Sequence, residues 1–447
     1  MTGSVYYTHM VTDPLSSGKL SITGISSAAL AAFREGRNAT HDQEYPRAIA
    51  HYSDVLSFDT ITDIFRARTL EYRGLCYWLS GDFDAAEKDY QASLTATDDL
   101  DQVARARVRL GELVDFRGKY VEAEPIYRQA LQEATEAQNL LVIGRARRGL
   151  GILNRRQGNT DKAIAHLTQA LASFRQIGEA REQARVLTSL GRTRQARGEY
   201  QHALTAHHEA RMIFESLSDR WRVVQTLNDT GECHQALYDI ERAREYHEQA
   251  LTLANEVGAE LLLPEIKRNL GVDLVEQGKL DQGLYYLQAA LAGARQIGNH
   301  EHEALSLYYL TRAFLQQSDI DAAKQFVVLL KDVAEKLDAD RYRALAAFVQ
   351  GELLYYQGER EAAMSELNKA MLAAQTSVDR GILWKLHATM SHVVENPEIA
   401  AVHRTIAAEF IRQTAEPLQD DLLKSKFLYA PPVLAILDAA GINPEKM

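Results

Sequence analysis

Cysteine is almost missing from this chain: Cys76 and Cys233 are the only two thiols in 447 residues. Two cysteines cannot build a disulfide framework and offer no paired zinc spacing, so a stapled secreted fold is excluded and a reducing, cytoplasmic setting is expected. Proline is scarce, at 9, and the 26 glycines gather at regular intervals, which leaves no long flexible linker. The opening stretch, MTGSVYYTHMVTDPLSSGKL, has no basic start followed by an apolar run, so no signal peptide is expected. No run approaches the eighteen or more apolar residues of a membrane span, so a membrane partner is not expected either. GxSxG, HExxH, GxxxxGK[ST] and GxGxxG are all absent, and with them the local signatures of hydrolytic, metal-dependent and nucleotide chemistry. The expectation is a chain with no catalytic residues, no cofactor and no metal. The histidines that gather at His202, His207, His208, His234 and His247 lack convergent ligand spacing and read as packing residues.

What is present is a single interval. Steps of forty from Gly111 land on Gly151, Gly191, Gly231, Gly271, Thr311, Gly351 and Ser391. A small residue at fixed spacing marks a close approach of two helices, and a period of this length is one helical hairpin stacked on the next. The unit ARVRLGELVDFRGKYVEAEPIYRQAL carries Leu110, Gly111, Gly118, Tyr120, Ala123, Tyr127, Ala130 and Leu131. The second glycine of each unit (Gly118, Gly158, Gly198) suits the left-handed residue that ends a helix. The paired alanines leave room for the next hairpin. Two looser copies come first, around Gly36 and Gly74, and a degenerate one around Ser391 comes last.

This pattern resembles the tetratricopeptide repeat, with a period of forty in place of the common 34. It is similar to the arrays of kinesin light chains, of Pins-type scaffolds and of bacterial sensor arms. The resemblance implies an all-α, right-handed superhelical solenoid of about ten hairpins, and a binding function. The expected organisation is a flexible arm over residues 1–25, the solenoid over 26–412, and a capping segment over 413–447, where Pro432 opens a short apolar helix pattern.

The formal net charge is −11, yet residues 101–200 hold eighteen Lys and Arg against eleven Asp and Glu, and sixteen of the eighteen are Arg. In the repeat's register the residues six and three before the small position, and one and four after it, line the concave side. Arg105, Arg145 and Arg185 recur at one such position, with Arg148, Arg155, Arg192 and Arg268 at others. Guanidinium forks grip carboxylates in two-bond geometry. Gln195, Gln225, Asn228 and Asn269 could hold the backbone of an extended peptide. Further along, Tyr308, Arg312, Phe348 and Tyr355 outline a candidate aromatic pocket. A basic stretch covering only about three repeats argues against nucleic acid. Two functions stay open: a scaffold holding an acidic or extended peptide of a partner protein, and a receptor whose superhelix changes shape when a ligand arrives.

Overall fold

The computed structural model describes residues 25–337, 339–377 and 380–447. Apart from Ile25, the arm expected over residues 1–25 lies outside them. Among the described residues there are twenty-two α-helices and no strand. Twenty of the helices pair into ten hairpins: Ser27–His41 with Tyr45–Leu56, Asp63–Leu79 with Phe83–Thr95, Leu100–Phe116 with Tyr120–Glu136, Leu140–Arg156 with Thr160–Gln176, Ala180–Ala196 with Tyr200–Ser216, Arg220–Ala236 with Ile240–Val257, Leu263–Glu276 with Leu280–Gln296, His300–Gln316 with Ile320–Lys336, Asp340–Tyr356 with Arg360–Ser377, and Arg380–Val393 with Pro397–Ala415. The last hairpin runs a few residues past 412. Two further helices, Asp421–Leu428 and Pro431–Ala439, complete the chain where the sequence reads one.

The forty-residue interval has a steric cause. A Cβ built on Gly36, Gly74 or Gly111 would meet the ring of Tyr52, Tyr90 or Tyr127, sixteen residues later, at 2.8, 2.8 and 2.9 Å. At Gly191 and Gly231 the imidazoles of His207 and His247 take that place, at 2.4 Å. Only a missing side chain lets the first helix of a hairpin lie on the ring of the second. The turns are equally regular. Gly118, Gly158 and Gly198 have φ of 78°, 82° and 74°, the left-handed geometry that satisfies the last carbonyls of a helix. Tyr238, forty residues after Gly198, holds the same slot at φ 58°, where a bulky residue is strained. Asp99, Asp219, Asn299 and Asp319 cap helix N-termini through their side chains, each accepting from an otherwise orphaned N–H.

The helices form two compact units. One runs to Leu153 and includes residues 169–179 and 258–261; the other comprises 154–168, 180–257 and 262–447. In the first, Ala104, Val108, Ala130, Ala134, Val142 and Ala146 make an interlayer core of small side chains, and buried Cys76 meets Thr40 at 3.3 Å. In the second, the chain's end folds back. Leu423, Phe427, Val433, Ile436 and Leu437 are buried with Trp384 and Ile411 of the last hairpin, and also with Tyr200, Ala203, Cys233 and Leu237, roughly two hundred residues earlier. Lys426 bonds to Asp239, Arg242 lies 3.6 Å from Asp420, and the Gln419 N–H donates to Gln201 Oε1 at 3.1 Å. The tail therefore does more than cover the last hairpin; it is a brace across the second unit.

Candidate functional site

The second unit holds a half-open cavity of about 810 Å³. Its walls follow the repeat register. Arg192, Glu232, Val272, Arg312 and Glu352 each stand one residue after the small position, and Gln195, Gln235, Val275 and Leu315 stand four after it. Arg268, Tyr308 and Phe348 come three before it, and Glu265, Leu305 and Leu345 six before it. Pro432, Ala435 and Ile436 of the returning tail close one side.

Of the residues expected from sequence, Arg155, Arg192, Gln195, Arg268, Asn269, Tyr308, Arg312 and Phe348 line this cavity. Tyr355 does not line it. Its ring lies under Arg360 at 5.9 Å, and its neighbour Tyr356 faces the cavity instead. Gln225 accepts from Arg222 at 2.8 Å, and buried Asn228 accepts from Asn269 at 3.0 Å. Two further wall positions escaped the sequence reading. One is nine residues before the small position, at His302 and Tyr342; the other is five after it, at Glu276, Gln316 and Tyr356. Each is one helical turn beyond a register position already in use, so the helical period was the signal available.

The arginine column aligned by the repeat register is largely supplied with counter-charges. Arg105 pairs with Asp101 at 2.9 Å and Arg148 with Glu112 at 3.0 Å in the first unit. Arg185 pairs with Glu182 at 3.2 Å in the second. Arg145 is half-buried. At the cavity wall Arg192 grips both oxygens of fully buried Asp229, with Nη2 to Oδ1 at 2.6 Å, and reaches Glu265 at 3.4 Å. Arg268 donates to Glu232 at 2.9 Å, and Asn269 to the same oxygen at 2.8 Å. Arg156 reaches Glu301 at 3.4 Å.

Asp229, Glu232 and Glu265 bring carboxylate oxygens within 4.8 Å of one another. Arg192 and Arg268 already pair with this cluster, so it is part of an ion network. Burial pushes the Asp229 carboxyl up to about 7 against the pull of Arg192. Glu265 is equally buried, yet Arg192, His302 and Arg268 draw it down to about 2. His207, 3.8 Å from Asp229, makes no hydrogen bond with any described residue through either ring nitrogen.

Arg155 differs from these arginines. It is half-buried at the cavity wall and makes no hydrogen bond or ion pair with any described residue. Burial and then the neighbouring Arg156 lower its guanidinium to about 10, with Arg192 and Arg341 adding to the crowding and Glu301 opposing it. Its guanidinium therefore faces the cavity as a cation without a counter-charge in hydrogen-bond contact.

The tetratricopeptide repeat model matches residues 65–136, 102–176, 140–216 and 262–327. No curated protein matches the sequence. Among solved structures the chain is similar to a Rap protein complexed with competence and sporulation factor, at 15% identity and a TM-score of 0.59 over 87% of this chain and 99% of that one. It is also similar to the Rap conjugation gene regulator of plasmid pLS20 in complex with the Phr* peptide, at 16% identity and a TM-score of 0.54 over 82% and 98%. A third is the apo form of RapI, at 17% and 0.51 over 60% and 98%. At these identities the likeness is one of fold.

Proposed function

Because this chain is built of tetratricopeptide repeats, we propose that it is a non-enzymatic binding protein holding a peptide segment of a partner in the second unit's cavity. An acidic group of that segment faces Arg155 and its neighbours. Arg192, Gln195, Arg268 and Asn269 shape the wall around it, and Tyr308, Arg312 and Phe348 receive apolar side chains. The observation that carries this reading is Arg155, a cavity-lining cation with no hydrogen bond or ion pair to any described residue, beside Arg192 and Arg268, which are already paired. Two of the structurally similar proteins are complexes with competence and sporulation factor and with the Phr* peptide, which supports the same use of the fold here. The volume falls within the few hundred to about 1,000 Å³ typical of sites for small ligands. It favours a short segment over a long partner surface, and so gives weight to the receptor reading. No described helix is long and apolar enough to cross a membrane, and two buried free thiols suit a reducing cytoplasm.

The test is retention of ligands from a cell extract by the immobilised chain, with R155E as the comparison. Ligands bound by the wild type should be lost by the variant, and their retention should weaken with salt. The same set held equally by both would remove the assignment of Arg155.

A further inference from the structure

Tyr342 lines the cavity from the first turn of the helix Asp340–Tyr356. The residue is only 4% exposed, yet its hydroxyl makes no hydrogen bond with any described residue. A buried hydroxyl without a partner is rare in folded proteins, and the cavity gives this one somewhere to donate. Its surroundings are chiefly basic. Arg341, Arg156 and Arg155 act on it against the acid Glu301, and Glu301 is itself met by Arg156 at 3.4 Å. Burial, and then Glu301, raise the phenol above its ordinary value, so it stays protonated and remains a donor.

Arg155 shares these surroundings, for Arg156, Glu301 and Arg341 act on it as well. The two residues come from distant parts of the chain, one from the end of the helix Leu140–Arg156 and one from the start of Asp340–Tyr356, but both belong to the second unit and both line its cavity. A guanidinium N–H and a phenol O–H are both donors, and a carboxylate has two oxygens to accept from them. Its single negative charge matches the positive charge of Arg155.

We infer that Tyr342 is a binding residue: one carboxylate of the ligand is held jointly by the Arg155 guanidinium and the Tyr342 hydroxyl, and so joins two distant parts of the second unit. This rests on the reading that the cavity holds a peptide with an acidic group at Arg155, and it adds the second donor and the class of acid. An amide in the same place would leave the guanidinium without a counter-charge, so the pair selects carboxylate over amide.

The experiment uses the full chain, immobilised, and three pools of mixed N-acetylated hexapeptides whose other residues are uncharged. The first carries one Glu and a C-terminal amide. The second has Gln in place of that Glu, and the third has the Gln with a free C-terminal carboxylate. Retained peptide is measured by mass spectrometry. The first or the third pool should be held about ten-fold better than the second, as expected for hydrogen bonds to a charged group. Which of the two is held tells a side-chain carboxylate from a chain end. Tyr342→Phe should cut that preference while leaving retention of the Gln amide pool unchanged. It should also keep the wild-type melting temperature, since the hydroxyl has no bond in the free protein to lose. Arg155→Gln should erase the preference, and the double variant should fall no further, because both side chains act on one group. Equal retention of the three pools by the wild type overturns the inference and leaves peptide binding in place. So does a preference that Tyr342→Phe leaves untouched, or a loss of every pool alike in that variant. A lowered melting temperature for Tyr342→Phe would make the hydroxyl a structural group and overturn the inference as well. Retention of no pool overturns both this inference and the peptide reading.

Discussion

At the scale of single residues, the same position in successive hairpins is filled by different chemistry under one steric rule. Tyr52, Tyr90 and Tyr127 lie on their glycines as phenol rings, while His207 and His247 do so as imidazoles. The exchange has a pH consequence. Burial, and then Arg192, lower His207 from its ordinary 6.5 to about 3. The folded value lies below the unfolded one, so its contribution to stability is intact above pH 6.5. It is lost as pH falls toward 3, at up to about 1.4 kcal/mol per pH unit. Asp229 works in the opposite sense. Raised from 3.8 to about 7, it contributes stability that is present below 3.8 and lost as pH rises through 7. A six-membered ring fits against glycine in the first three hairpins, so His207→Phe should be accommodated, and it removes the acid loss. Urea unfolding followed by circular dichroism should show the variant gaining on the wild type as pH drops from 6.5 to 4. Parallel stability curves would mean that His207 does not stay neutral in the fold. The register that exposed these positions in the sequence was blind to pairing. It aligned Arg105 and Arg185, but the acids that meet them, Asp101 and Glu182, lie on the same helices one turn away. Which of several nearby acids an arginine chooses depends on rotamers that a spacing pattern does not contain.

At the scale of elements, the hairpins were legible and the tail's destination was not. A hairpin is specified locally, by a glycine, a ring sixteen residues on, and a left-handed residue in the turn. Each of these recurs often enough to stand out. The helices Asp421–Leu428 and Pro431–Ala439 bind residues far back in the chain through a contact made once, so no repetition announces it. Their latch is polar as well as apolar. Lys426 bonds to Asp239, which is buried, and lies 3.4 Å from Glu241. Lys426→Glu should therefore loosen the tail by about 1–2 kcal/mol, discounted because the lysine is partly exposed. Hydrogen exchange is the fitting probe, since it reads local opening. Protection should fall across residues 421–439 and stay unchanged in the helix Ile320–Lys336. Unaltered protection in the tail would show that the apolar cluster alone holds it.

At the scale of the whole molecule, the tail alters how the second unit holds together. In a stack of hairpins each unit meets only its neighbours, and stability is a sum of local and nearest-neighbour contributions that can be lost stepwise. Here the end of the chain is joined to the Tyr200–Ser216 and Arg220–Ala236 helices, and Arg156 reaches Glu301 across many hairpins of sequence. Such long-range bonds oblige the intervening hairpins to open together or not at all. Deleting residues 417–447 should convert one cooperative loss into a graded one. In the intact chain, opening free energies from native-state hydrogen exchange should converge for the helices between Ala180 and Ala415. In the truncated chain they should spread, lowest in the last hairpin, where Trp384 and Ile411 lose their cover. If truncation lowers all of these energies by the same amount, the hairpins are coupled through their own interfaces. The brace would then add stability without setting cooperativity.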